Sequence, residues 1–173
     1  MFAMAATAPP RVPEHVIDRA LTEAGFGDAF AEPPKPKVWA GVLGEVPLFS
    51  QLGIRDLCRI AEAAQVVRAP AGRPIVRESF TAEGFYVLLT GSATVHRPGG
   101  QPVQLSRGDF FGELGLIDAA PRTATVVADT DLWLVKLPRD RFFELIDRRP
   151  TIARGLLEEL ARRIRRLESE RSS

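Results

Sequence analysis

Between Phe110 and Val127 the chain reads FFGELGLIDAAPRTATVV, and its residue types suit a small phosphorylated ligand. Arg122 brings a planar fork of donors that matches phosphate oxygens. Gly112 and Gly115 let backbone approach a ligand with no side chain in the way. The segment Gly112–Leu116 reads as the opening of a short helix, whose first N–H groups lack intrahelical partners and favour an anion. Glu113 would repel a phosphate, so it must meet another part of the ligand. A carboxylate accepts hydrogen bonds, and a sugar hydroxyl donates one. A ribose with a free 2′-hydroxyl and one phosphodiester, as in a 3′,5′-cyclic nucleotide, satisfies all of these demands. The competing reading makes Glu113 and Arg122 a surface salt bridge of little energetic worth, and the glycines ordinary turn residues.

The elements around this segment are short. Stretches 65–68, 75–77, 85–90, 93–97, 103–106, 123–128 and 132–137 alternate in polarity or are rich in β-branched and aromatic residues, as strands are. Pro70-Ala71-Gly72, Thr90-Gly91-Ser92, Pro98-Gly99-Gly100 and Arg107-Gly108-Asp109 separate them with turn chemistry. Many short strands between Gly/Pro turns predict an α+β, mainly β architecture. The expected form is a jelly-roll-like β-roll (a double-stranded β-helix) of short antiparallel strands, flanked by N- and C-terminal helices. Ile54, Leu57, Ile60 and Ala61 lie at helical spacing ahead of the strands, with Cys58 among them as a small packing residue. After Pro138 the pattern is helical, first over Arg141–Arg148 and then, past Pro150, towards the end.

At the other end, Pro13–Ala24 carries Val16, Ile17, Ala20, Leu21 and Ala24 at helical spacing, and Glu32–Lys37 reads as a stiff proline-rich linker. The expected division is a helical appendage and linker over 1–37 and one domain over 38–173. Composition bounds the rest. A net charge of +1 gives no global pull towards nucleic acid or anionic membrane. The single cysteine excludes an internal disulfide and fits a reducing compartment. The chain has no apolar run long enough to span a membrane and no secretory signal pattern, so a cytoplasmic location is expected. Neither histidine sits in a metal-ligand pattern; no metal is expected. Arginine dominates over lysine and alanine is abundant, which suggests a GC-rich bacterial genome.

Phe111-Gly112-Glu113-Leu114-Gly115-Leu116, followed by Pro121-Arg122-Thr123-Ala124-Thr125-Val126, resembles the phosphate-binding cassette of cyclic-nucleotide-binding domains. These domains occur in cyclic-nucleotide-dependent kinases, catabolite-activator-type regulators and gated channels. Val46-Pro47-Leu48-Phe49, Ile75–Glu78 and Phe85–Val95 resemble other parts of that pattern, which covers roughly Val46 to Leu167. One departure is Ser79-Phe80, where the family carries a glycine after the position of Glu78. The resemblance implies that Glu113 holds the ribose 2′-hydroxyl and Arg122 the cyclic phosphate, with Phe111, Gly112, Leu114, Gly115, Thr123 and Ala124 completing the site. It implies cyclic AMP as ligand, with cyclic GMP second because the Thr123 hydroxyl suits a phosphate or a guanine amino group.

Three readings compete for the last helix. It packs on the roll; or Leu157, Leu160, Ile164 and Leu167 form a short apolar seam to a second copy; or its arginines contact nucleic acid. Interleaved glutamates weigh against the last, so no direct DNA contact is expected. In the family this helix closes over the base. No aromatic residue follows Phe143, so a lid would come from Leu156, Leu157 or Leu160, or from an arginine. The reading that follows is a non-catalytic cyclic-nucleotide sensor that acts on an unidentified effector protein. A transcription regulator would need a helix-turn-helix beyond this helix, and the sequence ends at Ser173. The other alternative is an interaction module whose pocket is unused.

Overall fold

The computed structural model describes residues 36–44 and 46–171. The helix read over Pro13–Ala24 lies outside the described residues, as does most of the linker. The linker ends sooner than expected, because Pro36 already opens α1 (Pro36–Gly44); proline is tolerated in a first helical turn, where its missing N–H has no partner to lose. Trp39, Ala40 and Leu43 of α1 are buried at three–four spacing. α2 (Ile54–Ala63) likewise buries Leu57, Ile60 and Ala61, and Cys58 is half-buried against the same core.

Eight short strands follow: β1 (Gln65–Ala69), β2 (Pro74–Val76), β3 (Gly84–Leu88), β4 (Ala93–His96), β5 (Val103–Leu105), β6 (Phe110–Phe111), β7 (Thr125–Ala128) and β8 (Leu132–Pro138). They form two four-stranded antiparallel sheets, ordered β1-β8-β3-β6 and β2-β7-β4-β5. This is the expected roll. The sequence pattern missed β6, which is only two residues long and owes its existence to its pairing with β3, Tyr86 opposite Phe111 and Val87 opposite Phe110.

β3 and β8 pair in register, Phe85 opposite Leu137 and Leu88 opposite Leu134, and both are buried on two faces. Because strand side chains alternate, Tyr86, Leu88, Leu132 and Leu134 point into the roll, where Val95, Leu105, Phe111 and Val126 meet them. Phe85, Val87, Trp133, Val135 and Leu137 point outward, to a second core shared with α1, α2 and the later helices. This explains the uninterrupted apolar run Phe85–Leu89. Each large side chain buried there contributes roughly 1.5–3 kcal/mol.

Between β6 and β7 the chain makes a short helix, α3 (Glu113–Ile117). α4 (Arg139–Arg148) and α5 (Pro150–Arg171) close the structure. They break at Arg149 (φ −135°, ψ 82°), since the residue before a proline is pushed out of the helical region. Arg149 is tied to Asp56 of α2, with Nε donating to one carboxylate oxygen at 2.8 Å and Nη2 to the other. Ile152 and Leu156 root α5 in the outer core. Beyond them the helix carries a row of apolar residues in solvent, Leu157, Ile164 and Leu167, at 67%, 57% and 46% exposure.

Candidate functional site

Gly112 joins β6 to α3 with φ +94°, a left-handed conformation that glycine adopts without steric penalty. A Cβ at this position would stand 2.8 Å from Nη1 of Arg122 and 2.9 Å from the carbonyl oxygen of Gly84. The turn buries the Glu113 side chain, which is 1% exposed. Gly115 is needed for a related reason: a Cβ there would lie 2.9 Å from that of Ala82, so α3 could not sit down on the loop before β3.

Arg122 is 5% exposed. Its Nη1 donates to the Gly112 carbonyl and its Nη2 to the Gly84 carbonyl, both at 2.7 Å, and its guanidinium lies 5.8 Å from the centre of the Tyr86 ring. Tyr86 in turn stacks on Phe111, the ring centres 5.0 Å apart. Burial lowers the Arg122 pKa from its ordinary value, while Tyr86, Glu113 and Glu83 oppose the shift. A guanidinium nevertheless stays protonated in proteins, so a positive charge is held here by backbone dipoles and a ring face. The surface salt bridge between Glu113 and Arg122 is not what forms.

The turn at Ser79-Phe80 answers the departure in the sequence. Ser79 takes φ +66°, keeping the left-handed shape that favours glycine, at a cost of about 1–3 kcal/mol. Its N–H donates to the Arg122 carbonyl, and the Arg122 N–H donates to the Phe80 carbonyl, both at 2.8 Å. This loop therefore clamps the backbone that presents Arg122.

Glu113 finds its partner 50 residues away, on α5. Nη1 of Arg163 donates to its Oε1 at 2.5 Å. Nη2 of Arg163 donates to the Phe110 carbonyl at 3.1 Å, and the guanidinium covers the Phe110 ring at 5.2 Å. Two of the buried polar atoms that lack a hydrogen-bond partner among the described residues belong to this site: Oε2 of Glu113 and Nε of Arg122. Each represents a desolvation penalty of about 1–3 kcal/mol, more for a charged group. One is an acceptor and the other a donor, on residues that line the same cavity of about 550 Å³, a size ordinary for small-molecule sites.

Phe111, Gly112, Glu113, Leu114, Gly115, Arg122, Thr123 and Ala124 all line this cavity. The lid residues read from the sequence do not. Leu156 lies in the outer core, Leu157 faces solvent, and Leu160 is half-buried away from the cavity. The wall from α5 consists of Glu159, Arg163, Arg166 and Leu167, so the arginine alternative describes it better. With Ile152 and Leu156 seated in the outer core, the face of α5 that carries Glu159, Arg163 and Arg166 is the one that meets the cavity. Arg97 to Gln101, at the β4–β5 turn, and Val103 and Gln104 of β5 add a rim that the sequence reading left out.

A second cavity of about 520 Å³ lies between α2 and α4. Most of its charged groups pair with one another, Asp56 with Arg59 and Arg149, and Glu144 with both Arg141 and Arg148. Among the described residues no helix is long and apolar enough to cross a membrane.

With this geometry in hand, residues 66–149 match the family model described as the cyclic nucleotide-binding domain. The chain is 37% identical, over 129 residues, to the cAMP-dependent protein kinase regulatory subunit of Aspergillus niger, an alignment covering 73% of this chain and 29% of that protein. This chain thus spans less than a third of the length of that relative. The catabolite activator protein of Thermus thermophilus superposes with a TM-score of 0.65 at 32% identity, covering 73% of this chain and 62% of that one. The regulatory domain of Toxoplasma gondii PKA, solved with cAMP, superposes with a TM-score of 0.66 at 26% identity, over 73% and 50% of the two chains. The bacterial source expected from arginine and alanine usage is overturned by the curated relatives, which are fungal; such a bias tracks codon composition, not kingdom.

Proposed function

With the chain a member of the cyclic nucleotide-binding domain family through residues 66–149, we propose that it is a non-catalytic sensor of a 3′,5′-cyclic nucleotide, cyclic AMP before cyclic GMP. The observation that carries this reading is a pair of unmatched buried atoms, Nε of Arg122 and Oε2 of Glu113, on two residues that line one cavity. A cyclic phosphate accepts from the first and a ribose 2′-hydroxyl donates to the second. The names of the relatives, cAMP-dependent kinase regulatory subunits, support cyclic AMP as the base to test first. Thr123, exposed at the cavity edge, keeps cyclic GMP in the comparison.

The signal leaves through α5. Arg163 bonds Glu113 directly, so a ligand that engages Glu113 also acts on the position of this helix, and it favours whichever helix position it binds better. The exposed row Leu157, Ile164 and Leu167, with Leu160 beside it, is then the surface read by an effector protein or by a second copy of the chain.

Calorimetric titration with cyclic AMP and cyclic GMP, beside Arg122→Ala, tests the reading. A charge-assisted bond of about 1.5–3 kcal/mol makes the expected loss in Arg122→Ala roughly ten- to a hundredfold or more. Unchanged affinity in that variant removes the phosphate assignment. A folded protein that binds neither nucleotide is an interaction module instead.

A further inference from the structure

Glu159 is a charged side chain on α5 that the ligand chemistry does not require, yet it is only 8% exposed. Its carboxylate accepts hydrogen bonds from Nε of Arg162 and Nε of Arg163, each at 3.1 Å, and from Nη2 of Arg166 at 3.5 Å. The way it takes Arg163 matters most. With Nε held by Glu159, Nη1 is directed to one oxygen of Glu113 and Nη2 to the Phe110 carbonyl. Glu113 is thereby bonded on Oε1 alone, and its buried Oε2 is left without a hydrogen-bond partner.

A free guanidinium prefers another arrangement. Arginine and carboxylate pair most strongly fork to fork, with two parallel bonds that cover both oxygens. That pairing at Glu113 would close the acceptor a sugar hydroxyl needs. Holding the Nε edge elsewhere prevents it, and also limits the rotamer freedom that a long arginine side chain otherwise keeps.

We propose that Glu159 is a positioning residue for ligand recognition: it acts through Arg163 to keep the second oxygen of Glu113 available to a ribose hydroxyl. The proposal rests on the cyclic-nucleotide reading above and deepens it. Glu159 does not touch the ligand in this scheme. It also fastens the far half of α5 to the cassette, since Glu159, Arg163 and Glu113 form one continuous chain of charge-assisted bonds.

The test has two arms. In the first, affinities for cyclic AMP and its 2′-deoxy form are measured in the unaltered protein, Glu159→Ala, Arg163→Ala and the double variant. Glu159→Ala is expected to reduce the preference for the ribose form about tenfold, the worth of one hydrogen bond to a charged group, while affinity for the deoxy form stays nearly constant. In the Arg163→Ala background the same change should have no further effect on that preference. Equal losses for both ligands, or losses that add across the double variant, overturn the positioning role and leave a merely structural one. In the second arm, amide hydrogen exchange is followed in the unliganded protein. Glu159→Ala is expected to raise exchange several-fold across residues 159–168 and to leave β3 and β8 unchanged; unchanged exchange in 159–168 overturns the proposal. If the unaltered protein binds neither nucleotide, the sensor reading fails, and this second arm still decides whether Glu159 fastens the helix.

Discussion

The two walls of the cavity are built by opposite means. The cassette wall is made by packing and backbone: a left-handed glycine, an arginine bonded to two carbonyls, and an aromatic pair beneath it. The wall from α5 is made by side-chain charge, with Glu159, Arg163, Arg166 and Glu113 in one network. Packed groups have few alternative positions, whereas the charge network of α5 runs from the buried carboxylates of Glu113 and Glu159 out to the half-exposed Arg166, and its arginines can change partners. Under the sensor reading proposed above, the first wall recognises and the second moves. α5 itself repeats the contrast, with its first turns in the core and its remainder held by charge.

Breaking the packed root of α5 should produce the largest effect. Leu156→Ala, at a site 2% exposed, is expected to lower unfolding stability by about 2–5 kcal/mol, measured by chemical denaturation. A loss below 1 kcal/mol would mean that the root is no more fixed than the tip. Next comes Gly112→Ala. A left-handed residue with a Cβ costs about 1–3 kcal/mol, and this one would also meet Arg122 and Gly84. Stability and nucleotide affinity should fall together, and salt should not alter the loss. A salt-sensitive loss would place electrostatics in the wall assigned to packing.

The smallest expected effect sharpens the contrast at the other end of the helix pair. Arg149 holds the Asp56 carboxyl below its ordinary range, chiefly by hydrogen bonding, and Asp56 raises Arg149 in return. A depressed carboxylate pKa stabilises the fold above the unfolded value, about 3.9, and this contribution is lost as pH falls through the lower folded value. The stability gap between the unaltered protein and Arg149→Gln should thus be constant from neutral pH to about 4 and narrow below it. A gap that persists undiminished well below pH 3 would assign Arg149 a packing role.

Much of this site is legible in a linear reading because its logic is local. Gly112, Glu113, Gly115 and Arg122 lie within eleven residues, and each residue type is demanded by backbone shape or ligand chemistry nearby. The strands were readable for a similar reason, since alternation and turn residues are short-range signals. β6 escaped because a two-residue strand has no period, and the turn at Ser79 because serine gives no sign of a positive φ. Leu156, Leu157 and Leu160 stand outside the cavity lining, because the absence of an aromatic after Phe143 narrows a lid to aliphatic or arginine side chains without saying which face of α5 the cavity meets.

What the sequence determined by itself is the cassette and the roll that carries it, since glycine conformation, β-alternation and an arginine fork are properties of the residues and their immediate neighbours. The tertiary structure alone decided which partner Glu113 takes, that Arg122 rests on the carbonyls of Gly84 and Gly112, and that α5 lines the cavity with Glu159, Arg163, Arg166 and Leu167 and not with Leu156, Leu157 or Leu160. Those contacts join residues up to 50 apart. They depend on the angle at which a helix is seated on its core, and no local preference encodes that angle.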